Sequence, residues 1–245
     1  MPLKLGTQDV TLKLGSQDVA AYLGAESVSA FDPTSIDGLA LWLDAADTST
    51  VTLDTGVSVW ADKSGNGRNA SQSTGNNQPI YTAGGLNGKN VLTFDGTNDT
   101  MPTASFTQNQ PSTMFAVVQV LNTSGSINFI DGFGVNRAAI FRRVTNNWTA
   151  FAGAELVGST STDTNWHTFS AVFNTTSSLL RVDGTQIASG NVGSQNVTTG
   201  LSLGSYNGTS GYLNGSIAEV LFYGGVLTAS QIAAVETHLQ KKWGL

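Results

Sequence analysis

Cysteine is absent from this 245-residue chain. Disulfides, thiolate metal sites and cysteine nucleophiles are therefore all excluded. Secreted eukaryotic modules of this size are commonly cross-linked, so the lack of cysteine favours a bacterial or viral source. Charge is also scarce: Asp, Glu, Lys and Arg make up 11% of the residues, the net charge is −6, and Lys and Arg form no run. Such a chain would repel a phosphate backbone, which argues against nucleic acid as a partner. No uninterrupted apolar stretch is long enough to span a bilayer, so no membrane insertion is expected. The opening MPLKLGTQDV lacks the apolar core of a secretory signal. The protein is then expected either to stay in the cell that makes it or to leave by assembly into a particle.

What remains is 40% hydrophobic residues, enough for a core, with 28 glycines and a surface built from Asn, Thr, Ser and Gln. Uncharged polarity with abundant glycine suits strands joined by many turns.

The front of the chain repeats. Leu5-Gly6-Thr7-Gln8-Asp9-Val10 recurs nine residues later as Leu14-Gly15-Ser16-Gln17-Asp18-Val19, and a looser copy reads Leu23-Gly24-Ala25-Glu26-Ser27-Val28. Three short strand-like pieces punctuated by glycine cannot bury a core by themselves. Repeats of this kind gain stability by stacking on one another or on neighbouring chains. Residues 1–30 are therefore read as a docking or oligomerisation segment carried by Leu5, Val10, Leu14, Val19, Leu23 and Val28.

From Phe31 the texture changes to short strands, making 31–245 a second domain. The spacing predicts strands at Ala40–Leu43, Val57–Trp60, Val91–Phe94, Met114–Leu121, Ile127–Ile130, Ala139–Arg143, Trp148–Ala152, Trp166–Phe173, Leu179–Val182, Thr185–Ala188, Leu201–Leu203 and Gly215–Tyr223. In Trp166–Phe173 the alternation places Phe169, Ala171 and Phe173 on the apolar side. No alternation of strand and helix suggests a parallel sheet. Thr228 to Gln231 has capping-box spacing, and Ile232, Val235, Leu239 and Trp243 follow on one helical face. This single helix is expected over an end or edge of the sheets. The expected fold is all-β: an antiparallel sandwich with a short N-terminal β-repeat and one C-terminal helix.

Several motifs occur in a telling order: Leu41-Trp42-Leu43-Asp44-Ala45-Ala46-Asp47, Val59-Trp60-Ala61-Asp62-Lys63-Ser64-Gly65-Asn66-Gly67, Thr93-Phe94-Asp95-Gly96, Trp166-His167, Val182-Asp183-Gly184 and Gly215-Ser216-Ile217-Ala218-Glu219-Val220. The series resembles the laminin G-like branch of concanavalin A-like jelly rolls, in the form common in bacterial and phage surface proteins. The resemblance implies two packed antiparallel sheets and, in most members, binding or display rather than catalysis. The front repeat is similar to the Leu-Gly-Ser-x-x-Val leader of phage structural proteins.

Related glucanases place carboxylates at alternate positions of one strand so that acid and nucleophile share a face. None of the four glutamates here, Glu26, Glu155, Glu219 and Glu236, has a carboxylate two residues away. His167 reads as a sheet or packing residue and His238 as solvated. No enzyme is expected. Laminin G-like domains often hold calcium, which makes Asp62, Ser64 and Asn66, joined by Asp95 or Asp99, candidate oxygen ligands. Against this stands a tight turn in which those side chains bond backbone amides. No other cofactor is expected. Trp148, Tyr206 and Tyr212, in polar glycine-rich contexts, are candidates for stacking on sugars, whereas Trp42, Trp60 and Trp166 read as core.

The leading expectation is a phage virion protein, on the capsid or tail, assembled in the host cytoplasm and placed on the particle surface. Its repeat would dock onto other virion proteins or onto copies of itself, a trimer for example. The jelly roll would face outward. An adhesion module binding cell-surface glycans is the alternative, and a glycoside hydrolase ranks third.

Overall fold

The computed structural model describes residues 31–245 in full and, before them, the backbone of 3–5, 8–10, 12–14 and 17–19. The chain divides into two units, Met1–Phe31 and Asp32–Leu245.

In the larger unit the strand Asn214–Gly224 is the pivot. Ser112–Val120 pairs along the whole of one edge. The other edge is shared, with Lys89–Asp95 meeting its first half and Leu39–Asp44 its second. Trp166–Phe173, Ser178–Val182 and Thr185–Gly190 continue from Ser112–Val120, and Ile80–Leu86 flanks Lys89–Asp95, completing an eight-stranded sheet. A six-stranded sheet runs in the order Met101–Pro102, Leu201–Leu203, Ile127–Gly132, Ala139–Arg142, Asn147–Phe151 and Glu155–Ser161. Val51–Leu53, Val57–Trp60 and Ala70–Ser71 form a small third sheet. All the pairings are antiparallel, as the absence of helical crossovers predicts.

The period of two sorts the side chains. Met114, Ala116, Val118 and Val120 enter the core between the large sheets, as do Phe169, Ala171 and Phe173. Phe129, Ile140, Trp148 and Leu203 meet them from the six-stranded sheet. Phe115, on the opposite face, packs edge-on against Tyr223 with ring centroids 6.0 Å apart.

That outer face explains the position of the helix. Ala229–Trp243 begins with the predicted capping box at Thr228 and Gln231 and ends at Gly244, whose φ of 72° an L side chain would resist. It does not close an end or edge. It lies on the outer face of the eight-stranded sheet, where Ser170 donates to Glu236 and Trp243 Nε1 donates to Glu219 at 2.7 Å. Phe115, Leu221 and Tyr223 make that face apolar, and helix residues Ile232, Val235, Leu239 and Trp243 are buried there with them.

The hairpin at Asp183-Gly184 forms as expected, both residues having positive φ (50° and 76°). Ile80–Leu86 and Glu155–Ser161 carry no strand signal in the sequence. The first is broken by Gly84-Gly85 and both are edge strands, where an apolar alternation is not required.

In the smaller unit each of the first two repeats is itself a hairpin. Leu3–Leu5 pairs with Gln8–Val10 and Leu12–Leu14 with Gln17–Val19, which corrects the expectation of one strand per copy. The registers are equivalent, with Lys4 opposite Asp9 and Lys13 opposite Asp18. Leu5, Val10, Leu14 and Val19 fall in these strands. Leu23 and Val28 lie outside the described residues.

Candidate ligand-binding surface

On the six-stranded sheet, Trp148 and Phe151 point to opposite faces. Trp148 is in the core, 2% exposed, edge-on to Phe129, Phe169 and His167. The expectation that it stacks on sugar is corrected: the alternation of side chains along Asn147–Phe151 places it inward. Phe151 lies on the outer face, where it backs the guanidinium of Arg137 at 4.5 Å. Tyr206, from the loop 204–213, also meets that guanidinium at 4.5 Å and is itself 40% exposed. A flat cation thus contacts two aromatic rings.

Asp131, fully buried, anchors the cluster from below. Arg137 Nη1 donates to its two oxygens at 2.7 and 2.9 Å, Asn128 Nδ2 donates to Oδ2, and the backbone N–H groups of Gly132 and Asn207 donate as well. Burial pushes this carboxyl up to about 6 against the opposing pull of Arg137. Exposed Phe133 lies beside Gly208, where a Cβ would come within 3.2 Å of its ring. The Gly134 amide donates to Asn207 Oδ1. Two loops, 133–138 and 204–213, are thereby locked together to present Phe133 and Tyr206.

Tyr206 is the one predicted aromatic that reaches this surface as an exposed ring. Tyr212 is half-buried on the same loop. Trp60 is buried as expected, whereas Trp42 and Trp166 are only partly so. Arg137, Asp131, Phe151 and Phe133 escape a sequence reading, because an arginine six residues after an aspartate carries no signal of the pairing.

The candidate calcium ligands are engaged in hydrogen bonds within the protein. Asp62 Oδ1 accepts from the amides of Trp42 and Ser64, and Oδ2 accepts from Ser64 Oγ and the Arg68 amide. Asn66 Nδ2 donates to the carbonyls of Leu39 and Ala40 and to Ser64 Oγ. Asp95 accepts from Thr97 and Asn98 within its own turn. These contacts match the stapled turn that stands as the alternative to a calcium site in this loop. Among the described residues no three His, Cys, Asp or Glu gather as a metal site.

The glutamates are dispersed. Glu219 has no solvent exposure and accepts from Trp42 Nε1, Trp243 Nε1 and Lys242 Nζ. Glu236 is paired with Arg181 at 2.7 Å, and Glu155 with Arg143 at 2.6 Å. His167 sits between Asp183 (Nδ1, 2.6 Å) and Asp163 (Nε2, 2.9 Å). Burial alone would lower its pKa, but the two carboxylates outweigh burial and raise it. His238 is half-buried on the helix, not solvated as expected. At the loop tips Asn122, Thr123, Asn146, Thr162, Asp163 and Thr164 line a shallow recess of about 190 Å³. Arg142 fills the donor needs behind it, reaching Thr123 O, Gly125 O and Asn146 Oδ1.

Solved structures share this architecture at low identity. Sialidase from Trypanosoma rangeli with sialic acid matches with a TM-score of 0.61 and 16% identity, over 84% of this chain and 33% of that one. This chain thus spans about a third of the sialidase's length. Domain 4 of a GH43 extracellular arabinanase from Geobacillus stearothermophilus, in complex with arabinotriose, matches with a TM-score of 0.60 and 14% identity, over 81% and 98%. The receptor-binding domain of botulinum neurotoxin D matches with a TM-score of 0.58 and 13% identity, over 83% and 53%. No curated protein sequence matches the chain. A laminin G-type family model, described as the concanavalin A-like lectin/glucanases superfamily, matches residues 94–233, more than half of the chain. It covers both locked loops and the strands that carry Asp131, Trp148 and Phe151, and this chain belongs to that superfamily.

Proposed function

We propose that this chain is a non-catalytic carbohydrate-binding module whose ligand rests on Tyr206 and Phe133. The observation that carries the reading is the exposed Tyr206 ring fixed against the Arg137 guanidinium, a rigid platform of the kind sugar faces stack on. The arabinotriose bound to the arabinanase domain is a property of that domain, and it lends precedent for a sugar on this scaffold. Catalysis is disfavoured because acid and nucleophile must flank one bond. Here Glu219 and Glu236 are locked in separate pairs, and Asp131, one of two carboxyls that burial raises to about 6, is enclosed by its own donors. A glycan array probed with wild type and Tyr206→Ala tests the reading. Binding weakened about tenfold or more by Tyr206→Ala supports it, and binding indifferent to Tyr206 refutes it.

The two equivalent hairpins favour a second reading for the front of the chain. A hairpin of two three-residue strands is marginal alone, and near-identical copies suit docking onto a particle, with a phage virion as the proposed setting. The partners would be capsid or tail proteins, or copies of this chain. Deleting residues 1–30 should leave a folded sandwich that no longer attaches or assembles. Unchanged attachment and unchanged oligomeric state would rule docking out.

A further inference from the structure

We infer that the Arg137 surface selects carboxylated sugars, uronic or nonulosonic acids, with the free edge of the guanidinium receiving the sugar carboxylate. The inference rests on the carbohydrate-binding reading above.

Arg137 uses Nη1 alone on Asp131. Among the described residues no acceptor meets its Nε or Nη2, and neither atom is a buried group lacking a partner, so solvent reaches both. The side chain is nonetheless only 15% exposed. Three N–H donors are thus left on a cation held by two rings, each 4.5 Å away. A hydroxyl can accept from one of them at a time. A carboxylate, which only accepts, can take two in parallel, and the planar fork matches its geometry. Tyr206, layered on the same guanidinium, offers the pyranose that bears the carboxylate a ring to stack on.

The charges nearby are compatible with this. Glu155, which pairs in register with Phe151, is neutralised by Arg143. Asp131 shares Arg137 through Nη1 alone, and burial raises its carboxyl to about 6. Lysine at 137 would keep the charge over Asp131 and lose the second pair of donors.

Isothermal titration of the full chain with trigalacturonate, its methyl ester, 3′-sialyllactose and lactose tests the inference. At least one acid should bind about tenfold or more tightly than its neutral counterpart, a gap of about 1.4 kcal/mol. Arg137→Lys should abolish that gap. The acid-to-ester comparison is made on wild type, so it stands even where the variant is unstable. Equal affinity for acid and neutral sugars, lost in Tyr206→Ala, overturns the carboxylate preference and leaves the carbohydrate reading intact. No binding by any of the four, or on an array of acidic and neutral glycans, overturns both.

Discussion

Lys242 Nζ lies 2.7 Å from Glu219 Oε2, joining the last turn of the helix to a carboxylate that solvent does not reach. The same ammonium lies 2.7 Å from Asp44 Oδ1, and Lys63 takes Oδ2 at 3.0 Å. Removing one partner of a buried pair strands the other. Lys242→Met is therefore expected to cost about 3–5 kcal/mol in urea unfolding. A loss below about 1 kcal/mol would show that the helix is held by its apolar face alone.

Trp148 and Tyr206 should respond differently to truncation. Trp148→Ala opens a cavity in a close-packed core and should cost about 3–5 kcal/mol. Tyr206→Ala gives up an exposed stack worth about 1 kcal/mol or less and should melt near wild type. Thermal unfolding of the pair checks the order, and comparable losses would contradict the placement of Trp148 inside and Tyr206 outside.

His167 makes stability depend on pH in a defined direction. Its pKa in the folded protein is raised above the ordinary value of 6.5 by Asp183 and Asp163, against burial. The folded state therefore holds the proton more tightly than the unfolded chain. The resulting stabilisation is complete below pH 6.5 and disappears as pH rises through the raised value. Urea midpoints measured from pH 5 to pH 9 should fall in wild type and flatten in His167→Gln. A wild-type midpoint that rises over that window would reverse the assignment.

Asp62 should act as a staple and not as a ligand. Asp62→Ala leaves the amides of Trp42, Ser64 and Arg68 without their acceptor and should cost at least about 2 kcal/mol. Melting temperature should be the same in EDTA and in millimolar calcium. A calcium-dependent rise lost in Asp62→Asn would restore a metal to this loop.

Much of the framework was legible because local and global demands coincide. Val57–Trp60, Trp166–Phe173 and Leu201–Leu203 end where their residue patterns end. Thr228 and Gln231 announce the helix start through a contact three residues long. The position of the helix was not legible, because it depends on Phe115, Leu221 and Tyr223 sharing a face, and these come from strands far apart in sequence. The candidate site fared similarly. Tyr206 was visible as an aromatic in a glycine-rich loop. Trp148 looked alike, but its cross-strand partner Arg142 and its core neighbour Phe169 cannot be read from flanking residues. Arg137 acquires meaning only once Asp131, Phe151 and Tyr206 have converged on it.

The shared edge of Asn214–Gly224 has a consequence for how the molecule comes into being. A chain made from its N-terminus has already produced Leu39–Asp44, Lys89–Asp95 and Ser112–Val120 before the strand that joins them exists. Until then those three carry unpaired edges, and contacts such as Trp42 to Glu219 must wait across 177 residues. Topologies dominated by such distant pairings fold in milliseconds to seconds rather than microseconds. The nascent sandwich is thus exposed to misassembly with its neighbours for as long as its keystone is missing.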